Sequence, residues 1–426
     1  MVQIQRLGND IPVIYEYIPG LRSSAFGIFI RAGSAYETKE NNGISHVIEH
    51  MLFKGTLNHN AGELADIMTE LGSNINAYTA KEVTSVYGRV LNEDFETAVQ
   101  IVSEMIYNSA FDIKELKKEK RVILDEIDLY DDSPEDLCHE LLQKEIWKDS
   151  PLGYIISGTK TNVRNMTRDM IYETWQDFYI PDNIVISVAG GIDGKLAVDI
   201  LNRFYGGVPK KGIIKKLDKP SYNPCFLTKY KDTEQIHLNI AFNNVTASDR
   251  LRFPMSIINA ALGGNLNARL FRKVREELGL TYSIYSYSSN LSMAGLFHIY
   301  AAMNPAQTAK VVKAIYQVID DFVQNGMQDE EVQCLKREIR KELILSGESA
   351  SEKMNSNAKS FMTLGRVETL DDTIGGIEAV TTDEINECIS GYFNLADCSM
   401  SLVGNTKEAN IPEIKRIRAN TKRIIN

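Results

Sequence analysis

MTRDMIYETWQDFYIPDNIVISVAGG (166–191) is echoed further along the chain by TTDEINECISGYFNLADCSMSLVGN (381–405). At a constant offset of 214, Ile171 falls on Ile385, Phe178-Tyr179 on Tyr392-Phe393, Ser187 on Ser401 and Gly190 on Gly404. Each copy reads as a capped helix, a short loop and an apolar strand that ends in glycine. A second pair lies upstream at offset 207. There LGSNINAY (71–78) meets LGLTYSIY (278–285), so Leu71-Gly72 matches Leu278-Gly279 and Tyr78 matches Tyr285. Two collinear matches at nearly half the length of a 426-residue chain point to an internal duplication.

Outward from these blocks, the halves keep the same order. VTSVYGRVL (83–91) and AGLFHIYAA (294–302) follow as strands. Two long amphipathic helices come next in each half, over 93–107 with 112–130 and over 305–325 with 329–346. Each half thus reads strand, helix, strand, helix, helix, helix, strand. That order predicts an α+β fold of two homologous domains, each a largely antiparallel sheet with helices packed on one face. GGVPKKGIIKKLDKPSYNPCF (206–226) carries Gly, Pro and Lys without periodicity and reads as a linker. The expected domains are 1–208 and 227–426, joined by 209–226.

Composition narrows the function. Lys and Arg number 47 against 57 Asp and Glu, a net charge of −10, which argues against a general nucleic-acid binder and gives no polybasic drive to anionic membranes. No apolar run approaches the roughly 18–20 residues of a membrane span. The N-terminus, MVQIQRLGNDIPVIYEYIPG, has no basic region followed by a sustained apolar run, so it does not read as a secretory signal. Cys138, Cys225, Cys334, Cys388 and Cys398 are odd in number and scattered, which suits reduced, buried thiols of a cytoplasmic protein.

The chemistry gathers in GISHVIEHMLFKGT (43–56), which holds two of the six histidines. Asn41 or Asn42 can cap this helix, Ile44, Val47, Ile48, Met51 and Leu52 are apolar, and Gly55 closes it. His46 and His50, at i and i+4, project from one face toward a shared point, as a tetrahedral zinc requires of two imidazole nitrogens. Glu49 stands beside them, close enough to reach a metal-bound water without ligating the metal. The string H-x-x-E-H is the inverted form of the zincin motif. It needs a third ligand. DIKELKKEKRVILDEIDLY (112–130) offers Glu119 and Glu126, two turns apart on nearly the same helix face, with Asp112 able to cap the helix.

At this point the sequence resembles a known family, the pitrilysin-type inverzincin metallopeptidases, in the branch of the mitochondrial processing peptidase and its bacterial relatives. That family follows H-x-x-E-H by a glutamate ligand 76 positions later, with another glutamate seven residues before it. His46, Glu49, His50, Glu119 and Glu126 occupy all five positions. The resemblance extends over FGIFIRAGSAYE, EHMLFKGT, GSNINAYTAKEVTSVYG, PLGYIISGT, FYIPDNIVISVAGGI and LGGNLNARLFRKVREELGLTYSIYSY.

The resemblance implies a zinc-dependent endopeptidase acting on extended or unfolded peptides in an enclosed chamber. One Zn2+ per chain is expected on His46, His50 and Glu126, with Glu49 as the base and Glu119 orienting a ligand histidine. Arg275 and Tyr282, seven apart in RKVREELGLTY, match the pair that holds the substrate carbonyl and the developing oxyanion. Asn76 and Ala77 resemble the edge strand that binds substrate backbone. The second half has no metal site, because SIINAALGGNL (256–266) lacks histidine where the first half has its motif. For a chain of this length the resemblance implies a homodimer whose sites are completed in trans, with a heterodimer as the other arrangement. Nucleic acid and membrane are not expected partners. Two further readings remain open, a non-catalytic subunit kept for assembly or substrate capture, and a zinc enzyme with non-peptide chemistry.

Overall fold

A computed structural model describes residues 2–72, 75–210 and 215–424. Ser73 and Asn74 of the first repeat block, and 211–214 of the predicted linker, lie outside the described residues. The first sheet has six strands: β1 (Val2–Arg6), β2 (Pro12–Tyr17), β3 (Ser23–Ile30), β4 (Asn76–Thr79), β5 (Thr84–Leu91) and β6 (Ile184–Gly190). They are ordered β1-β2-β6-β3-β5-β4. The second sheet has β7 (Phe226–Tyr230), β8 (Ile236–Asn244), β9 (Ser283–Asn290), β10 (Gly295–Met303) and β11 (Ser399–Gly404), ordered β7-β11-β8-β10-β9.

Without β1, the two orders are the same. In each sheet the single parallel pair falls at the same place, β2 with β6 and β7 with β11, and the other pairs are antiparallel. The matched glycines agree as well. Gly72 and Gly279 both take the left-handed conformation that glycine adopts without steric cost, at φ 56° and 57°. Duplication and the α+β class are therefore features of the backbone as well as of the sequence.

β6 explains the continuous apolar run of IVISVAG, since all seven of its residues are buried. Ile184, Ile186 and Val188 face the main helical core with Phe26, Ile28 and Val86, whereas Val185 and Ala189 face the opposite side. That opposite side is not bare. The helix Ala350–Leu364 lays Ala350, Met354 and Ala358 against Ile14, Ala25, Phe29, Val185 and Ala189. A strand buried on both faces needs no polar alternation. Each sheet thus carries its main helical layer on one face, as expected, and a single helix on the other.

The origin of that single helix is not visible in a linear division of the chain. One compact unit comprises Met1–Asp128, Tyr154–Leu217 and Leu345–Leu370; the other comprises Leu129–Gly153, Asp218–Ile344 and Asp371–Asn426. Each half of the sequence lends a segment to the unit built mainly from the other half. The boundary at 209–226 divides the sequence, and the units of packing differ from it by this exchange.

In the second unit the lent helix, Pro134–Ile146, meets a polar sheet face. His139 Nδ1 lies 2.8 Å from both Asn239 Nδ2 and Tyr287 Oη, and His237 Nδ1 lies 2.7 Å from Tyr300 Oη. Tyr285 donates to Glu135 at 2.8 Å. His139 and His237, two of the six histidines, are thereby accounted for as packing and hydrogen-bonding groups. Among the cysteines, Cys138, Cys388 and Cys398 are buried as expected, but Cys225 is half-buried and Cys334 is exposed on a helix surface. No described helix is long and apolar enough to cross a membrane.

Candidate metal centre

The motif helix runs Ile44–Leu52, and its apolar face buries Ile44, Val47, Ile48, Met51 and Leu52 in the first core. The expected Asn cap is replaced by a different device. Gly43 is the cap residue, in the left-handed region at φ 99°, and has no side chain to offer. The carboxylate of Glu37 does the capping from outside the helix. Its Oε2 accepts from the Gly43 N–H at 2.7 Å and from Asn42 Nδ2 at 2.8 Å, and its Oε1 accepts from the Ser45 N–H at 2.9 Å. Burial pushes the Glu37 carboxyl up, and these three donors work in the opposite direction. A carboxylate here also meets the positive end of the helix dipole. The FGIFIRAGSAYE segment matters to the site through its last residue.

PLGYIISGT buttresses the same helix end. Gly158 approaches so closely that an added Cβ would sit 2.4 Å from Asn42 O and 2.6 Å from the Gly43 Cα, at φ +75°. Gly158→Ala is expected to cost on the order of 2–4 kcal/mol, from the left-handed backbone and the backbone overlap together. Thermal or denaturant unfolding of the variant checks this, with a parallel loss of zinc content, because the displaced backbone carries His46 three residues on.

On the other face of the helix, His46 and His50 aim Nε2 atoms at one point, 3.2 Å apart. Glu126, on the helix Ile113–Asp132, brings Oε1 to 3.7 Å from His46 Nε2 and Oε2 to 3.4 Å from His50 Nε2. These three residues are the one such group of potential metal ligands among the described residues. Ligands about 2.0–2.1 Å from a tetrahedral zinc stand about 3.3–3.4 Å from one another. The donor set and its spacing therefore fit zinc.

Charge agrees with geometry. Burial, with His50 adding to it, pushes His46 down to about 4. Burial also works against a charge on His50, yet Glu119 and Glu126 at its two nitrogens raise it to about 9. The carboxylates thus favour positive charge beside His50, while His46 is held as a neutral imidazole, the form that ligates a metal.

Glu119 does not join the ligands. Its Oε1 lies 2.8 Å from His50 Nδ1 and its Oε2 lies 2.9 Å from Lys54 Nζ. Both contacts hold its carboxyl low against the opposing effect of burial. An anion at Nδ1 fixes the proton there and leaves the Nε2 lone pair for metal. Glu119→Gln is expected to weaken zinc binding about 10- to 100-fold, measured by competition with a chromogenic chelator. Zinc binding at wild-type strength would remove this assignment. Lys54 was not singled out in the sequence, since it lies in the turn after the helix ends at Leu52, where helical spacing gives no direction.

Glu49 is half-buried, and its Oε2 accepts a 2.6 Å hydrogen bond from Thr79 Oγ1. Burial pushes its carboxyl up, and the Thr79 hydrogen bond opposes that shift. Thr79 ends β4, the edge strand that carries Asn76 and Ala77. The Ala77 N–H donates to Asn76 Oδ1 at 2.9 Å, so the asparagine side chain is folded onto its own strand.

Arg275 and Tyr282 belong to the second unit, where they are brought to each other. Arg275 sits in the π-helical turn Phe271–Glu277, and its guanidinium lies 4.6 Å from the Phe271 ring centroid and 4.9 Å from that of Tyr282. π-Helical turns recur at functional sites, and stacking on two rings restrains the arginine. Tyr282 is no core tyrosine, since 77% of it is exposed. In the helix Arg252–Leu262, which takes the place of the motif helix in the second half, no metal ligand is found.

Comparison with known proteins agrees across both halves. Residues 12–160 match the family Insulinase (Peptidase family M16), and residues 165–339 match Peptidase M16 inactive domain. The chain is 36% identical over 403 residues to a Bacillus subtilis protein named uncharacterized zinc protease YmxG, covering 95% of this chain and 98% of that one. It is 30% identical over 413 residues to an uncharacterized zinc protease of Streptomyces coelicolor, covering 94% of this chain and 89% of that one. Among solved structures, a peptidase M16 inactive domain from Pseudomonas fluorescens superposes with a TM-score of 0.89 at 20% identity, covering 95% of this chain and 98% of that one. A protease from Helicobacter pylori gives 0.88 at 17% identity, covering 95% and 99%. At these identities the structures speak for the fold alone, and the sequence matches carry the rest: this chain belongs to peptidase family M16.

Proposed function

We propose that the chain is a zinc-dependent endopeptidase that hydrolyses extended or unfolded peptides in an enclosed chamber. The observation that carries this reading is the convergence of His46, His50 and Glu126 on one point, with the Glu49 carboxylate on the same helix. A zinc ion held there would acidify a water and polarise a scissile carbonyl. Glu49 would take the proton of the attacking water and deliver it to the departing amine as the C–N bond breaks. Glu119 and Lys54 hold His50 in the tautomer the site needs. The open edge of β4 would pair with substrate backbone, the Ala77 N–H exchanging Asn76 Oδ1 for a substrate carbonyl. Arg275 and Tyr282 would stabilise the oxyanion, typically a large electrostatic contribution. We place that pair on a partner subunit of a homodimer, so that each site is completed in trans.

The test is direct. Zinc-loaded protein is incubated with a library of unstructured peptides, and the products are read by mass spectrometry with and without a zinc chelator. Internal cleavage that stops on chelation and returns with zinc supports the endopeptidase. Near-stoichiometric zinc without any cleavage overturns it, and protein that binds no zinc points to the assembly or capture role.

A further inference from the structure

One contact at the site has no part in holding metal. The Thr79 hydroxyl donates to Glu49 Oε2 at 2.6 Å, across 30 positions of sequence. Glu49 Oε1 accepts no hydrogen bond from the described residues, so the carboxylate has one oxygen fixed and the other available. The short bond from the Thr79 hydroxyl is the main restraint on the direction of the available oxygen, and the Thr79 backbone N–H also favours the carboxylate. Burial and the like charge of Glu126 both disfavour the carboxylate, leaving Thr79 and His50 to favour it.

The Thr79 hydroxyl is not needed to build its strand. The β4–β5 hairpin is closed by the backbone bond from the Ala80 N–H to Val83 O, at 2.7 Å. Thr84, directly opposite Thr79 in the register, sends its own hydroxyl to Ala32 O at 3.0 Å. The threonine hydroxyl at the end of β4 therefore serves Glu49 and no other partner among the described residues. We propose that Thr79 is a positioning residue that ties the Glu49 carboxylate to the edge strand β4. This rests on the peptidase reading above and adds a consequence to it. The strand whose open edge would receive substrate also fixes the base, so binding at that edge and proton transfer share one rigid element. The restraint acts through orientation, and misplacing a reacting group by about 1 Å can cost on the order of 100-fold in rate.

The experiment compares zinc-loaded wild type, Thr79→Val and Thr79→Ser. Valine keeps the volume and shape without the hydroxyl, and serine keeps the hydroxyl without the methyl. Thr79→Val is expected to lower kcat about 10- to 100-fold, with KM and zinc affinity unchanged. Thr79→Ser is expected to recover most of the loss. A structural role for the methyl group would give the reverse order, with serine the worse of the two. A second readout needs no activity: crystal structures of zinc-loaded wild type and Thr79→Val should show Glu49 in one orientation in the first and displaced in the second. Wild-type kcat in Thr79→Val, serine no better than valine, or an unmoved Glu49 carboxylate would each overturn the inference. If the zinc-loaded wild type itself cleaves nothing, the peptidase reading fails. The role of Thr79 is then decided by the Glu49 orientation alone.

Discussion

Glu49→Gln is expected to retain zinc at the wild-type level and to lose peptide cleavage by about 10²- to 10⁴-fold, the usual contribution of a positioned general base. The substitution is selective because Glu49 is not among the three converging ligands. Glutamine has the same length, and its amide oxygen can still accept from the Thr79 hydroxyl. Metal affinity is set elsewhere, by His46, His50 and Glu126 and by the Glu119 contact behind His50. What the amide cannot do is accept the proton of the attacking water and carry it to the amine. Elemental analysis and steady-state kinetics on the same preparation separate the two effects. Cleavage at the wild-type rate would remove Glu49 from the mechanism, and loss of zinc would show that it acts on the metal.

How much of this was legible beforehand depends on the range of the interactions. The histidine pair was readable because i and i+4 on a helix fix a direction in space from sequence alone. Glu126 could be found only through its fixed separation from the motif in a known family, since an isolated glutamate on a charged helix gives no local sign of a metal ligand. Glu37 was missed for the complementary reason. It caps the motif helix from six residues before Gly43, through a loop, whereas cap rules look at the residue adjoining the helix. Thr79 was missed because its partner lies 30 positions away, and a threonine ending a strand is an ordinary β residue.

The same distinction holds for the fold. The equivalence of the two halves could be anticipated from the repeat, because each copy carries its own alternation and its own closing glycine. The reading of three strands per half fell short of the six and five found and gave no order within a sheet. The exchange of helices could not be anticipated. The stripe that Ala350, Met354 and Ala358 present to the first sheet is narrow and partly alanine, and neither composition nor period says which sheet receives it. Polar strands in the second half gave a weaker signal still. Asn239 and His298 are buried under a helix that comes from the other half of the sequence.

Mixing two inactive variants should restore activity if the sites are completed in trans. One variant is Glu49→Gln, which keeps Arg275 and Tyr282. The other is the double variant Arg275→Ala with Tyr282→Phe, which keeps the zinc site and Glu49. Alone, the double variant is expected to lose about 10²- to 10³-fold or more in kcat, the range for removing an oxyanion donor. Its zinc content should be unaffected, because both residues lie in the compact unit that carries no ligand. Tyr282 is 77% exposed and Arg275 rests on aromatic faces, so their removal opens no cavity in the second core. After subunit exchange, a mixed dimer with sites completed in trans would have one intact site. It pairs the Glu49 of one chain with the Arg275 and Tyr282 of its partner. Random association of equal amounts then gives about one quarter of the wild-type activity per chain. If each chain completes its own site, every site in the mixture lacks one component, and the mixture stays as inactive as its parts. Recovery that rises with time of subunit exchange, and that fails when exchange is blocked by cross-linking, would tie the oxyanion pair to the zinc of the other subunit.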